Sequence, residues 1–288
     1  MKNGICNRHR LRRLHRKLVV IDARVAFVGG INIIDDFDEG NARHPRYDYA
    51  VRVEGPLLEP ITESAQRLWR LLSWVAFRRR SHAPLLVAAD TQARGTVRAA
   101  FVVRDNLRYR HAIEDAYLAA INAAHSDIII ANAYFFPGRR FRQALVDAAA
   151  RGVKVTLLLQ GTVSHPVQRY ATRALYPFFM EYGVRLFEYE WSELHAKVAV
   201  IDRHWATVGS SNIDAFSLLV AREANVVVDD AVFAAELRRS LERARDEGGR
   251  ELKVTDWKRL SLADRALNWI AYQFVRMAIG IAGYKDHH

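Results

Sequence analysis

The sequence predicts an α/β protein made of two repeats, each a mixed β-sheet flanked by helices, with an amphipathic helix near the C-terminal end. The pattern HxKxxxxD occurs at 15–22 and again at 195–202, and an apolar run of strand character follows the lysine in both copies. Strand-like and helical segments alternate between residues 97 and 189. The apolar segment at 260–284 is interrupted by charged residues, which is typical of an interfacial helix rather than a membrane span.

The individual elements follow in a regular order. A helix at about 60–77 ends in a run of arginines, and a linker is predicted at about 78–95. The second repeat then shows strands at 97–103, 127–131, 153–159 and 184–189, with helices at 110–124, 139–151 and 166–182. These boundaries predict a partial first domain at 1–90, a second domain at 91–250 and a C-terminal segment at 251–288.

The two repeats differ in what precedes the motif. Several strands and helices precede His195, whereas only 14 residues precede His15. If one fold was duplicated, the first repeat is incomplete and the chain is an N-terminally truncated version of a longer protein. A sheet without its first strands would expose edges and apolar faces. We therefore expect the surroundings of His15 to be less well formed than those of His195.

The motif itself indicates phosphodiester chemistry. Strand alternation places the histidine and lysine of each copy on one face and the aspartate on the other. Two imidazoles and two ammonium groups can then meet in one pocket; they belong to His15, Lys17, His195 and Lys197. The two aspartates, Asp22 and Asp202, are interpreted as structural anchors.

The repeat extends beyond the motif. Each copy continues through small residues to an asparagine, Asn32 or Asn212, and then to a carboxylate ahead of another strand, Asp48 or Glu223. Small residues allow the backbone to approach a ligand closely, and an asparagine adds an amide donor. One motif alone would be weak evidence, but a duplicated set in the same order is strong.

These residues resemble the phospholipase D superfamily and, within it, bacterial cardiolipin synthases with two motifs. The resemblance covers about residues 14–229 and implies phosphatidyl transfer through a phosphatidyl-histidine, giving cardiolipin from phosphatidylglycerol without metal or cofactor. By analogy His15 is the nucleophile and His195 the general acid and base. For this chemistry we expect the lysines to neutralise the non-bridging phosphoryl oxygens and the asparagines to donate amide hydrogen bonds. The resemblance further implies that Asp48 and Glu223 orient the histidines.

Composition is compatible with this interpretation. A net charge of +11 and a pI near 10 favour anionic partners, either nucleic acid or an acidic membrane surface. The single Cys6 excludes an internal disulfide and a cysteine-built zinc site. Together with the resemblance, this predicts anionic phospholipid partners and a peripheral position on a bacterial inner membrane, on its cytoplasmic face.

Three function classes stay open from the sequence. The chain can be a lipid transphosphatidylase, a phospholipase D-type hydrolase or nuclease using the same histidines, or an inactive truncated remnant. Two motifs in one chain and an aromatic amphipathic tail favour lipid over nucleic acid. The predicted anchoring aromatics of that tail are Trp257, Trp269, Tyr272 and Phe274.

Overall fold

The computed structural model of the protein describes residues 13–34, 44–75, 87–105, 109–162, 166–214 and 221–284. The first repeat contributes β1 (Arg13–Leu14), β2 (Lys17–Ile21), β3 (Val25–Gly29), β4 (Ala50–Val53) and α1 (Leu58–Val75). The next segment comprises β5 (Arg98–Arg104), α2 (Ala112–Ala123), β6 (Asp127–Asn132), β7 (Phe135–Phe136), α3 (Arg139–Ala150), β8 (Lys154–Gln160), α4 (Pro166–Arg173), α5 (Tyr176–Glu181) and β9 (Arg185–Tyr189). The remainder comprises β10 (Lys197–Ile201), β11 (Trp205–Gly209), β12 (Ile213–Asp214), β13 (Ala221–Asp229), α6 (Ala231–Gly248), β14 (Gly249–Leu252), α7 (Val254–Lys258) and α8 (Leu262–Tyr284).

A large mixed sheet dominates the described part of the chain. Its strands follow the order β13-β11-β10-β6-β8-β9-β14, and both β1 and β5 also pair with β13. The pairs from β13 to β6 are antiparallel, whereas β6, β8 and β9 run parallel. The parallel strands are joined by helical crossovers, as parallel pairing requires. The predicted mixed α/β architecture is confirmed.

A smaller antiparallel sheet, β2-β3-β4, repeats the geometry of β10-β11-β13. Leu18 pairs with Val28 in one sheet, and the equivalent Val198 pairs with Val208 in the other. The turn after each motif strand begins at an aspartate in the left-handed region, with φ of 51° at Asp22 and 52° at Asp202. The sequence repeat is therefore also a structural repeat.

Three apolar clusters hold the sheets and helices together. The largest lies between the large sheet and α2, α3 and α5, and a second lies between the opposite face and α6. The third joins the two sheets, because Ala26 and Val28 of β3 pack with α1 and with Val226 and Val228 of β13. This third cluster fixes the position of the first motif relative to the second.

The equivalent faces of the two repeats differ in exposure. Val19 and Ile21 of β2 are 45% and 48% exposed, whereas their counterparts Ala199 and Ile201 are 0% and 2% exposed. In the second repeat that face lies under the helices of the largest cluster. The face of β2 that carries Lys17 is thus an open apolar surface.

Most predicted elements of the second repeat lie within one to three residues of the observed ones. The predicted helix at 166–182 is two helices, α4 and α5, and Pro177 lies in the first turn of the second one. Of the predicted linker at 78–95, residues 78–86 lie outside the described residues. Of all the described helices, none has both the length and the apolar character needed to cross a bilayer.

Candidate active site

His15 is positioned by pairing between the first and second repeats. The short strand β1 runs parallel to the start of β13, with Leu14 opposite Arg222, and the backbone N–H of His15 donates to the carbonyl of Arg222 at 3.1 Å. The imidazole Nδ1 then lies 2.9 and 3.1 Å from the two carboxylate oxygens of Glu223. A carboxylate only accepts, so in the neutral imidazole Nδ1 carries the proton and Nε2 has the lone pair.

His195 is held in the equivalent way. Tyr47 forms a parallel bridge with Leu194, and the backbone N–H of His195 donates to the carbonyl of Tyr47 at 2.8 Å. The imidazole Nδ1 lies 2.6 Å from Oδ2 of Asp48. Each histidine therefore takes its carboxylate from the other repeat, and the two pairs are related by an approximate two-fold symmetry.

The two carboxylates differ in how they are supported. Oδ1 of Asp48 accepts from the backbone N–H of Tyr49 at 2.8 Å, and Oε2 of Glu223 accepts from the hydroxyl of Ser210 at 2.5 Å. Gly30 occupies the position equivalent to Ser210, and a Cβ there would lie 2.3 Å from Oδ1 of Asp48. The small residue makes room for the carboxylate, a reason that differs from the expected close approach of backbone to ligand.

The two lysines lie in the same electrostatic environment. Burial lowers the pKa of Lys197 to about 7 and that of Lys17 to about 8, and in both cases Asp48 and Glu223 oppose the shift. Each ammonium donates to the carbonyl of the histidine two residues before it, at 3.0 Å from Lys17 to His15. Because both carboxylates act on both lysines, the two motifs form one cluster.

The histidines differ in burial. The side chain of His15 is 33% exposed and that of His195 is 9% exposed. Desolvation lowers the pKa of His195 below its ordinary value, and the hydrogen bond to Asp48 opposes that shift. A bound phosphate would supply negative charge to this site and raise the pKa of its cations.

The remaining predicted site residues occupy equivalent positions in the two repeats but differ in burial and hydrogen bonding. Asn212 is buried, and its Oδ1 has no hydrogen-bond partner among the described residues, whereas Asn32 is half-buried. The carboxylate of Asp202 accepts from the backbone N–H groups of residues 125–127, at 2.8 to 3.2 Å. Asp22 is exposed.

Two arginines near Glu223 were not identified from the sequence. Arg16 donates to the carbonyl of Glu223 at 3.1 Å, to the hydroxyl of Ser64 at 2.8 Å and to the carbonyl of Arg104 at 3.2 Å. Arg104 is fully buried, lies opposite Glu223 in the β5–β13 pair and donates to the carbonyl of Ala221. Arg16 occupies the variable position of the motif, where the second copy has alanine, so the repeat pattern gave no signal for it.

Comparisons with known proteins show similarity to cardiolipin synthases. A family model described as "Cardiolipin synthase, PLD-like domain" matches residues 117–245. The chain is 39% identical over 286 residues to cardiolipin synthase B of Escherichia coli (strain K12), covering 96% of this chain and 66% of that protein. It is 26% identical over 266 residues to a minor cardiolipin synthase of Bacillus subtilis (strain 168), covering 91% of this chain and 63% of that protein.

The chain thus spans somewhat less than two thirds of the length of these relatives. Among solved structures, phosphatidylserine synthase of Haemophilus influenzae Rd KW20 superposes with a TM-score of 0.67 at 12% identity, covering 95% of this chain and 71% of that one. At that identity the likeness concerns the fold.

Proposed function

Because the chain belongs to the phospholipase D superfamily, in its cardiolipin synthase group, we propose that it transfers a phosphatidyl group between phospholipids through a phosphatidyl-histidine. The observation that carries the proposal is the pair of imidazoles, each oriented by a carboxylate of the other repeat, with a lysine beside each. This arrangement supplies a nucleophile, a general acid and cations for the phosphoryl oxygens.

In the first step Nε2 of His15 attacks phosphorus of a phosphatidylglycerol. The bond from phosphorus to the headgroup glycerol oxygen breaks, and protonated His195 gives its proton to that oxygen, so glycerol leaves. His15 is assigned as the nucleophile by analogy with the superfamily, and its imidazole is the more exposed of the two. Asp48 and Glu223 fix the tautomers and stabilise the imidazolium forms.

In the second step neutral His195 removes the proton from a hydroxyl of a second phosphatidylglycerol. That oxygen attacks phosphorus, the bond to His15 breaks, and cardiolipin is released. One phosphodiester replaces another, so no input of chemical energy is required. In both steps Lys17 and Lys197 neutralise the negative charge of the phosphoryl oxygens. Asn32 and Asn212 are proposed as amide donors to the same oxygens.

The substrates in this proposal are anionic phospholipids, and the protein acts at a bacterial inner membrane, bound peripherally on its cytoplasmic face. The net charge of +11 supports binding to an anionic membrane surface, and the names of the relatives support phospholipid substrates.

The experiment is mass spectrometry of the products formed from phosphatidylglycerol. Cardiolipin and glycerol are expected, and their formation should survive EDTA because no step in the scheme uses a metal. Phosphatidic acid as the sole lipid product would show that water is the acceptor and the protein is a hydrolase. Absence of any product, with a folded protein, would refute the proposal.

The nucleophile is tested separately by trapping the intermediate and mapping the labelled peptide. Label on His15 is expected, and it should vanish in His15→Asn. Label on His195 in the wild-type protein would reverse the two assigned roles.

A further inference from the structure

The helix α8 carries apolar side chains on the side that faces solvent. Trp269, Ile270, Phe274 and Met277 are 57% to 61% exposed and follow helical spacing along one stripe. A helix on the surface of a globular protein normally turns its polar side outward and buries its apolar one. Here the solvent-facing stripe is the apolar one, and we call these four residues the α8 stripe.

The other side of α8 is attached to the protein. Ala271 is buried, and the ring of Tyr272 lies 5.5 Å from that of Phe136. The phenol of Tyr272 also accepts from the guanidinium of Arg142 at 3.2 Å. Since α8 is anchored through Tyr272, the α8 stripe is held in place as a fixed surface.

The cations around α8 are suited to an anionic surface. Arg265 and Arg276 lie on α8 itself and are exposed, and Arg139 and Arg140 lie exposed at the start of α3, the helix that carries Arg142. Exposed apolar rings with arginines beside them are the composition of a helix that lies in the interface of an anionic membrane. Arg140 also contacts Asp115 at 3.4 Å and Arg265 donates to the carbonyl of Trp257 at 3.4 Å, and all four guanidinium groups add positive charge beside the apolar stripe.

The attachment of α8 also leads to the candidate active site. Phe136, which contacts Tyr272, belongs to β7, and β7 pairs in parallel with β12. The strand β12 starts at Ile213, directly after Asn212. A single strand pair, β7 with β12, therefore connects α8 to the candidate active site.

We propose that the α8 stripe inserts shallowly into the surface of an anionic phospholipid bilayer and so docks the protein where its substrate lies. The reason for docking rests on the proposed function, but binding can be measured without turnover. Two of the predicted anchors, Trp257 and Tyr272, pack against Tyr176 and Phe136 of the protein, so the assignment shifts to Trp269 and Phe274 with Ile270 and Met277.

The test is flotation of the full chain with vesicles of phosphatidylglycerol and phosphatidylcholine, compared with vesicles of phosphatidylcholine alone. The triple variant Trp269→Ser, Phe274→Ser, Met277→Ser is expected to lose at least tenfold in partitioning to the anionic vesicles. A matched control replaces three exposed apolar residues elsewhere, Val87, Tyr182 and Val232, by serine and should float like the wild type.

Several results would overturn the proposal. They are undiminished flotation of the triple variant, equal binding of the wild type to both kinds of vesicle, and a dimer in solution that the triple variant abolishes while vesicle binding is absent. Turnover of detergent-dispersed phosphatidylglycerol by the triple variant shows that it is folded. His195→Asn should float normally yet form no product, so failure of docking and failure of the proposed chemistry give different results.

Discussion

Replacing Lys197 by methionine should stabilise the protein at acidic pH while abolishing transfer. The ammonium of Lys197 is fully buried, and desolvation lowers its pKa from 10.5 to about 7. A shift of that size corresponds to about 5 kcal/mol of unfavourable free energy for the charged form in the folded state. Methionine has a similar length, carries no charge and loses only the hydrogen bond to the carbonyl of His195, which contributes about 1 kcal/mol.

The pH dependence follows from the direction of the shift. Between pH 7 and 10.5 the unfolded chain binds more protons at this lysine than the folded protein, so the penalty is complete below about pH 7 and declines as pH rises. We expect Lys197→Met to exceed the wild type by about 4 kcal/mol in free energy of unfolding at pH 6, and by about nothing at pH 9.5.

The assay is urea denaturation of both proteins at the two pH values. Lys154→Met, at an exposed position on β8, is the matched control and should change the free energy of unfolding by less than about 0.5 kcal/mol at either pH. A gap between Lys197→Met and the wild type that stays the same at pH 6 and pH 9.5 would refute the reasoning, because it would come from packing alone. Transfer activity should fall at least about a hundredfold, since the cation is lost.

Three further changes test how the site is held. Asp48→Asn removes the acceptor that fixes the tautomer of His195, so the transfer rate should fall by about 10³- to 10⁴-fold with little change in urea midpoint; a tenfold effect would contradict the orienting role. Gly30→Ala places a Cβ against the Asp48 carboxylate and should lower the transfer rate at least about a hundredfold. The control Gly95→Ala, whose Cβ would lie in open space, should leave the transfer rate unchanged. Arg16→Met removes three hydrogen bonds and should lower the free energy of unfolding by about 3 kcal/mol, measured by urea denaturation; an unchanged midpoint would show that these bonds contribute nothing.

Much of the second repeat was predictable because its signals are local. Alternation of apolar residues identifies strands such as β6 and β8, and the helices between them follow from spacing and from Gly and Pro boundaries. The division of the helix at 166–182 into α4 and α5 was not predicted, although the proline at its break is visible in the sequence. The placement of His15, Lys17, His195 and Lys197 in one cluster rests on the repeat itself, which encodes the same local geometry twice.

The contacts that join the two repeats at the site could not be predicted from the sequence. A pattern gives each carboxylate its place in its own repeat, but pairing of β1 with β13 and of Tyr47 with Leu194 decides which histidine it reaches. Periodicity likewise predicts that a helix has an apolar side without showing what packs against it. For that reason Trp257 and Tyr272 were expected at a membrane, whereas both contact the protein.

The exchange of carboxylates between repeats makes the chemistry conditional on assembly. If the small sheet separates from β13, both histidines lose their carboxylates at once, since Glu223 leaves His15 and Asp48 leaves His195. Under the proposed function, a partly folded chain would therefore lack both oriented histidines and carry out neither step of the transfer. Both histidine–carboxylate pairs therefore form only when the two sheets are assembled, and neither pair can form without the other.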